Sequence, residues 1–359
     1  MEQKKNIKSY SRSELQQIMT ELGEQKYRAD QIRLWLFNDR SSSFEAMSNL
    51  GSSLRAVLSS GYSIPSCAII KEQRESAADN IEGTTKYLVS LHDGLEVETV
   101  LIPSPDRKTV CVSSQAGCPL GCTFCATGYM GFTRNLNAAE IVEQVYLADD
   151  KTTKGDISNV VFMGMGEPLL NLPNVIEAVD ILSDQRFDFS LPQRKITIST
   201  VGLVPGIDRI ARSGLKTKLA VSLHAADQRK REQLIPASKE HTLDRLHKAL
   251  AEYTDKTGEP VTLVYMLLDG MNDTPDDARM LAKFSRGFLC KINLIDYNSI
   301  VNIKFKHANS ERQDHFIAML VDAGLHVTVR RSHGASINAA CGQLALSEKK
   351  AVSSARYHS

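Results

Sequence analysis

From residue 109 onward the chain alternates short apolar runs with longer segments of helical periodicity, and this restricts the fold more than any other feature. Strands fit residues 109–114, 160–163, 196–199, 219–223, 261–267, 292–295 and 327–330. Helices fit residues 138–147, 174–182, 243–253, 276–284 and 310–322. Strand–helix alternation implies parallel strands joined by helical crossovers. With 109–114 as the first strand, about six or seven units follow, short of the eight of a closed barrel. The expected fold is α/β, a partial parallel β/α barrel.

Upstream the pattern differs. Residues 1–65 read as a small helical unit. Ser11 and Glu14 form a capping-box pattern, Leu15, Ile18, Met19 and Leu22 recur at helical spacing, and Gly23 ends the run. A second helix fits 29–37, and a third and fourth fit 44–60, before Gly61 and Pro65 mark a boundary. Residues 66–107 carry β runs at 68–72, 85–91 and 96–102, with Asp93-Gly94 as a hairpin turn. This gives a helical accessory domain (1–65), a β-rich connecting segment (66–107), the barrel (108–346) and a tail (347–359).

The 359 residues are 42% hydrophobic and 24% charged, which excludes a disordered chain, a collagen or a membrane-embedded protein. Lys+Arg 43 against Asp+Glu 42 leaves a charge of +1, so any nucleic-acid footprint is local. Residues 301–359 hold eight Lys/Arg (304, 306, 312, 330, 331, 349, 350, 356) against four acids (311, 314, 322, 348), a net of +4. Residues 1–12 hold Lys4, Lys5, Lys8 and Arg12 against Glu2, a net of +3. Both ends could meet phosphates; ordinary solvated surface explains them equally well. No apolar run approaches a membrane span of about 20 residues, and the N-terminus lacks a signal-peptide core. A cytoplasmic protein is expected, with no membrane partner.

In that compartment cysteines serve metals or catalysis more often than disulfides. Of seven, three form Cys118-x3-Cys122-x2-Cys125. Three thiolates are too few for a closed zinc site, and they suit a 4Fe–4S cluster with one iron free to bind a small molecule, here S-adenosylmethionine. The alternative is zinc with a remote fourth ligand, such as Cys111 or a His. Gly117 and Gly121 let the loop close tightly. Polar residues gather where the parallel strands end, the functional face of a β/α barrel: Gly164, Gly166 and Glu167, then Ser199, Ser222 and His224, then Asp296, Asn298, Arg330 and Arg331. Glu167 could meet an ammonium group; Ser199, Ser222, His224 and Asn298 could bond a carboxylate and ribose. Each singly is more often a turn or structural residue. Cys111 lies in a β run, Cys341 on a loop near the rim, and Cys67 and Cys290 read as structural.

The cysteine motif resembles that of radical S-adenosylmethionine enzymes, and neighbouring segments resemble the RlmN/Cfr group of RNA adenine methyltransferases. They are Val97-Glu98-Thr99-Val100, Cys111-Val112-Ser113-Ser114-Gln115, Cys125-Ala126-Thr127-Gly128, residues 162–171, Ser222-Leu223-His224-Ala225, residues 290–295 and Ala339-Ala340-Cys341-Gly342-Gln343-Leu344. The helical N-terminal unit resembles that family's accessory domain. The resemblance implies a barrel of radical SAM type and methylation of carbon 2 of an adenosine in the peptidyl-transferase centre of 23S rRNA, and of the adenosine 3′ of the anticodon in tRNAs. Cfr-like methylation of carbon 8 is the alternative within the group; a non-enzymatic metal-binding RNA chaperone is the alternative outside it. The implied roles are cluster ligation by Cys118, Cys122 and Cys125; S-adenosylmethionine contact by Gly166, Glu167, Ser199, Ser222, Leu223, His224 and Asn298; methylation of Cys341 itself; and a partner thiol at Cys111, which forms a disulfide with Cys341 during turnover. Either Glu98 or Cys111 removes the ring proton. A flavodoxin-type electron donor and a monomeric chain are also implied. The chemistry is coherent: carbon 2 lies between two electron-withdrawing nitrogens and has no usable lone pair, so a radical route replaces direct transfer.

Overall fold

The computed structural model describes residues 4–76, 82–153, 155–300, 305–330 and 334–345. Its centre is a ten-stranded sheet in which spatial order follows chain order: β1 (Ala68–Arg74), β2 (Thr85–Ser90), β3 (Glu96–Ser104), β4 (Arg107–Cys111), β5 (Ile157–Phe162), β6 (Ile196–Thr200), β7 (Lys218–Ser222), β8 (Val261–Leu267), β9 (Cys290–Asp296) and β10 (Val327–Arg330). Strands β4 to β10 pair in parallel, while β1 to β4 are antiparallel. Connection length decides the switch: a tight turn allows only antiparallel return, and a parallel neighbour needs a crossover of a dozen or more residues. The 66–107 segment thus extends the barrel sheet instead of standing apart from it. The arrangement is an open α/β barrel, with β1 and β10 at opposite ends of the ladder.

The crossovers are α4 (Ala138–Asp149), α5 (Leu172–Ser183), α6 (Val204–Ser213), α7 (Gln228–Leu234), α8 (Leu243–Thr257), α9 (Pro275–Phe284) and α10 (Ser310–Asp322). Apolar periodicity does not reveal α6 and α7. In α6, Pro205 and Gly206 mimic a turn, yet Gly206 is where the helix meets Leu169: a Cβ there would stand 2.7 Å from that side chain. In α7, Gln-Arg-Lys-Arg-Glu-Gln-Leu buries only Arg231 and Leu234.

The first strand ends sooner than expected. After Cys111 the chain leaves the ladder, and Gln115–Gly117 pairs antiparallel with Phe132–Asn135. Buried Gln144 of α4 secures the departure: its Oε1 accepts from Ser113 N at 2.8 Å and from Thr99 Oγ1 at 2.8 Å, and its Nε2 donates to Ser113 O at 3.0 Å. The ribbon formed by the two short strands frames the cysteine loop.

The N-terminal unit holds α1 (Arg12–Glu21), α2 (Tyr27–Phe37) and α3 (Ser52–Gly61). The Ser11/Glu14 capping box forms as expected. The two helices expected over 44–60 are one, α3; residues 44–50 form turns whose Phe44, Met47 and Leu50 plug the core. The unit docks on α4 and α5. Buried Arg33 donates to Glu177 at 2.6 Å, and Lys8 pairs with Glu143 of α4. Lys8 is therefore a buried stitch, and Arg12 is bonded to Asp30 at 2.7 Å, so neither stands as a free phosphate contact. Of the C-terminal basic group, Lys304, Arg331, Lys349, Lys350 and Arg356 lie outside the described residues, as does the 347–359 tail. No described helix is long and apolar enough to cross a membrane.

Replacing Gln144 by Leu leaves the Ser113 N–H and C=O buried without partners. We expect a loss of about 2–4 kcal/mol, read as a lower urea midpoint at unchanged slope.

Candidate active site

The cysteine loop leaves the ribbon at Gly117, whose φ of +82° and close approach to Gly131 exclude a side chain: a Cβ would lie 2.0 Å from Gly131 O. Cys118 N donates to Gly131 O at 2.8 Å, Cys125 N to Cys122 O at 3.1 Å, and Thr123 N to Leu234 O at 3.0 Å, which seats the loop on the end of α7. All three thiols line one cleft of about 850 Å³, open to solvent. Among the described residues, no three His, Cys, Asp or Glu side chains converge as ligands of a single ion do. Burial pushes the Cys118 thiol up to about 12 and raises those of Cys122 and Cys125, and neighbouring thiolates oppose ionisation further at Cys122. Such thiols lose their protons to a metal, so the donor set fits a cluster held by Cys118, Cys122 and Cys125. Cys111 does not line this cleft.

The facing wall comes from the ends of β5 to β8: Gly164, Gly166, Glu167, Ser199, Ser222 and His224. Gly166 has φ +101°, and a Cβ would strike Gln115 at 2.6 Å. Glu167 is buried, and its carboxylate accepts from Leu169 N at 3.0 Å and Val201 N at 2.9 Å. Burial drives this carboxyl up to about 7 against the pull of those amides. Among the described residues no Lys or Arg pairs with it, so it complements a ligand's ammonium group. His224 is buried, its imidazole pushed down to about 3 chiefly by desolvation, with the Arg231 charge adding to the shift. Its Nδ1 accepts from Met266 N at 3.1 Å, which leaves the proton of the neutral ring on Nε2.

A second, smaller cavity adjoins the first. It is lined by Ile102, Cys111, Met163, Asp296, Arg330 and Cys341, among others. Cys111 is buried, its thiol raised to about 12, first by desolvation and then by the charge of Cys341. Exposed Cys341 lines both cavities. Its segment crosses the barrel mouth and is fastened on every side: Gly342 O accepts from Ala126 N at 2.7 Å, Leu344 O from Thr127 Oγ1 at 2.6 Å, Gln343 Nε2 donates to Ser299 O at 3.1 Å, and Glu75 accepts from Gly334 N at 3.0 Å and Ser336 Oγ at 2.9 Å. Glu98 shares the sheet face of Cys111: Val100 lies opposite Cys111, and Glu98 is two residues before Val100. It is buried against Lys86, Oε1 to Nζ 3.0 Å.

The structure thus gathers Cys118, Cys122, Cys125, Gly166, Glu167, Ser199, Ser222, His224 and Cys341 on one cleft, with Cys111 and Cys341 together on the next. Leu223 and Asn298 stand outside the cleft lining. Leu223 is buried with its amide bonded to Val264 O, and Asn298 Nδ2 turns toward Asp296 O at 3.5 Å. Sequence reasoning missed Lys86. A lysine inside an otherwise apolar strand, opposite a strand carrying Glu98, was the available signal.

This fold and site define a radical S-adenosylmethionine protein. The family model for the Radical SAM superfamily matches residues 112–284, and that for the ribosomal RNA large subunit methyltransferase N-terminal domain matches residues 5–64. Members of that superfamily use a 4Fe–4S cluster and S-adenosylmethionine. The chain is 60% identical, over 99% of both lengths, to a probable dual-specificity RNA methyltransferase RlmN of Chlorobium phaeobacteroides BS1. It is 54% identical to the corresponding protein of Chlorobaculum tepidum, over 95% of this chain and 92% of that one. A crystal structure of a radical SAM methyltransferase from Sphaerobacter thermophilus superposes with a TM-score of 0.84 at 40% identity, covering 95% of this chain and 99% of that one. The chain belongs to the RlmN family.

Two outcomes follow. Iodoacetamide at pH 8 should label Cys341 quickly and Cys111 slowly, because only the first is exposed and burial holds the second as a thiol; peptide mass spectrometry reads both, and equal rates would contradict the burial. Glu167→Gln should weaken S-adenosylmethionine binding about 10- to 100-fold, measured by equilibrium dialysis.

Proposed function

We propose that this protein methylates carbon 2 of an adenosine in the peptidyl-transferase centre of 23S rRNA, and of the adenosine 3′ of the anticodon in tRNAs, with Cys341 as the methyl carrier. The observation that supports this reading most strongly is the position of Cys341 in both cavities, between the three thiols on one side and Cys111 on the other. A carrier must first receive its methyl group at the cofactor and then meet the base and a second thiol. A residue common to both chambers can do so without a large movement.

Cys118, Cys122 and Cys125 hold the cluster; Gly166, Glu167, Ser199, Ser222 and His224 receive S-adenosylmethionine, with Leu223 and Asn298 contributing from behind the wall. When bound, this cofactor pair would supply the methyl group, the radical that activates it and an acceptor for the odd electron. The ring proton passes to Glu98. Cys111, held as a thiol by burial, then meets the Cys341 sulfur: an S–S bond forms, the S–CH2 bond breaks, and the thiol hydrogen completes the product methyl group. A thiol reductant resets the pair. The target base reaches the chamber only when extruded from its stack, as for other base-modifying enzymes. A flavodoxin-type electron donor, a monomeric chain and a cytoplasmic location complete the reading.

Nuclease digestion of methylated rRNA should release 2-methyladenosine; 8-methyladenosine alone would move the assignment to carbon 8. Cys341→Ala should retain cluster iron and lose all product, Cys118→Ala should lose the iron, and Cys111→Ala should leave RNA covalently attached to Cys341. A colourless wild-type protein with stoichiometric zinc and no S-adenosylmethionine cleavage would favour the chaperone instead.

A further inference from the structure

Lys86 is one of two buried lysines among the described residues, with 3% exposure. It lies on β2 opposite Val100, in a row that continues through Cys111 to Val161, so it faces the second cavity's side of the sheet. Burying an ammonium is costly unless its charge and its N–H groups are used. Lys86 uses them on two different segments of the chain. Its Nζ stands 3.0 Å from Glu98 Oε1 and donates to Asn338 O at 3.1 Å. Asn338 is held at φ +52°, a left-handed conformation uncommon outside glycine, three residues before Cys341. The other carboxylate oxygen, Glu98 Oε2, is buried and has no hydrogen-bond partner among the described residues.

We propose that Lys86 is a positioning residue of the methyl transfer: one ammonium group orients Glu98, leaving Oε2 free to take the ring proton, and ties down the segment that carries Cys341. Proton acceptor and methyl carrier are thereby set against each other by a single side chain. This rests on the roles given above to Glu98 and Cys341. The other ionisable groups facing this space are Cys111 of β4, Asp296 of β9, Arg330 of β10 and Cys341 of the C-terminal segment. Burial raises the Glu98 carboxyl, and Lys86 supplies the largest opposing pull; the Ala345 amide adds a weaker pull without forming a hydrogen bond to it. Without Lys86 the Glu98 carboxyl moves further up and becomes a poorer proton acceptor at neutral pH; raising the pH favours its ionised form again.

The test uses three variants of the reconstituted holoprotein with RNA substrate. Lys86→Met should lower RNA methylation at pH 7 about 100-fold, the scale of a lost general base, with activity recovering toward pH 9, and should speed amide hydrogen exchange in 334–345. Lys86→Gln keeps a donor for Asn338 without the charge: exchange should stay near wild type while the pH profile shifts as in Lys86→Met. Lys86→Arg should retain most activity and the wild-type profile. If Lys86→Met does not fold, Lys86→Gln decides by its pH profile alone. A wild-type profile in a folded Lys86→Gln, or an identical profile and exchange rate in Lys86→Met, overturns the proposal. Glu98→Gln and Cys341→Ala run beside them separate the two levels: if both are inactive while Lys86 variants are normal, only the Lys86 assignment falls; if both stay active, the functional reading itself falls.

Discussion

Seating of the 334–345 segment across the open mouth of the barrel is the constraint on which the site depends. An open parallel sheet leaves its strand ends exposed, and here the chain returns over them after β10. Ala126 and Thr127 of the cysteine loop, Ser299 after β9 and Glu75 after β1 each hold one part of the segment. These contacts come from regions far apart in sequence, so the segment is fixed only once the sheet has formed. Cys341 stays exposed while its neighbours Ala339, Ala340 and Gln343 are buried. A thiol presented in this way can meet reactants on both sides.

Electrostatics divide the two chambers. In the first, burial raises the pKa of each of three thiols and of Glu167, and the described residues offer Glu167 no cation. Each of these groups can carry its negative charge only when something positive arrives. A metal cluster and a sulfonium-bearing amino acid would answer that demand, while desolvation leaves His224 neutral, a hydrogen-bond donor and not a charge. Beside the second chamber, buried Glu98 has Lys86 as its cation, whereas at Cys111 desolvation outweighs the pull of Arg330. Lys86 favours the ionised form of one group and burial favours the protonated form of the other, as acid–base roles require environments that separate protonation states.

The antiparallel start of the sheet also has a mechanical role. Strands β1 to β3 add a flank to the parallel strands, and that flank carries Lys86 and Glu98. Residues 66–107 seemed a connector because hairpins and a crossover sheet have different sequence rhythms. Hydrogen bonding between β3 and β4 makes them one surface, with Val100 directly opposite Cys111.

The sequence by itself determined the strand–helix rhythm, the capped helix at Ser11 and the spacing of Cys118, Cys122 and Cys125, because these depend on neighbours within a few residues. It also brought Gly166, Glu167, Ser199, Ser222 and His224 to one rim, since parallel strands all end on the same side. Only the tertiary structure decided that Lys8 is an internal stitch, that α6 and α7 are helices, that Leu223 and Asn298 stand outside the cleft wall, and that Lys86 reaches both Glu98 and Asn338. Each of those depends on contacts between segments separated by tens to hundreds of residues, and a local pattern carries no record of which distant partner will satisfy a buried charge.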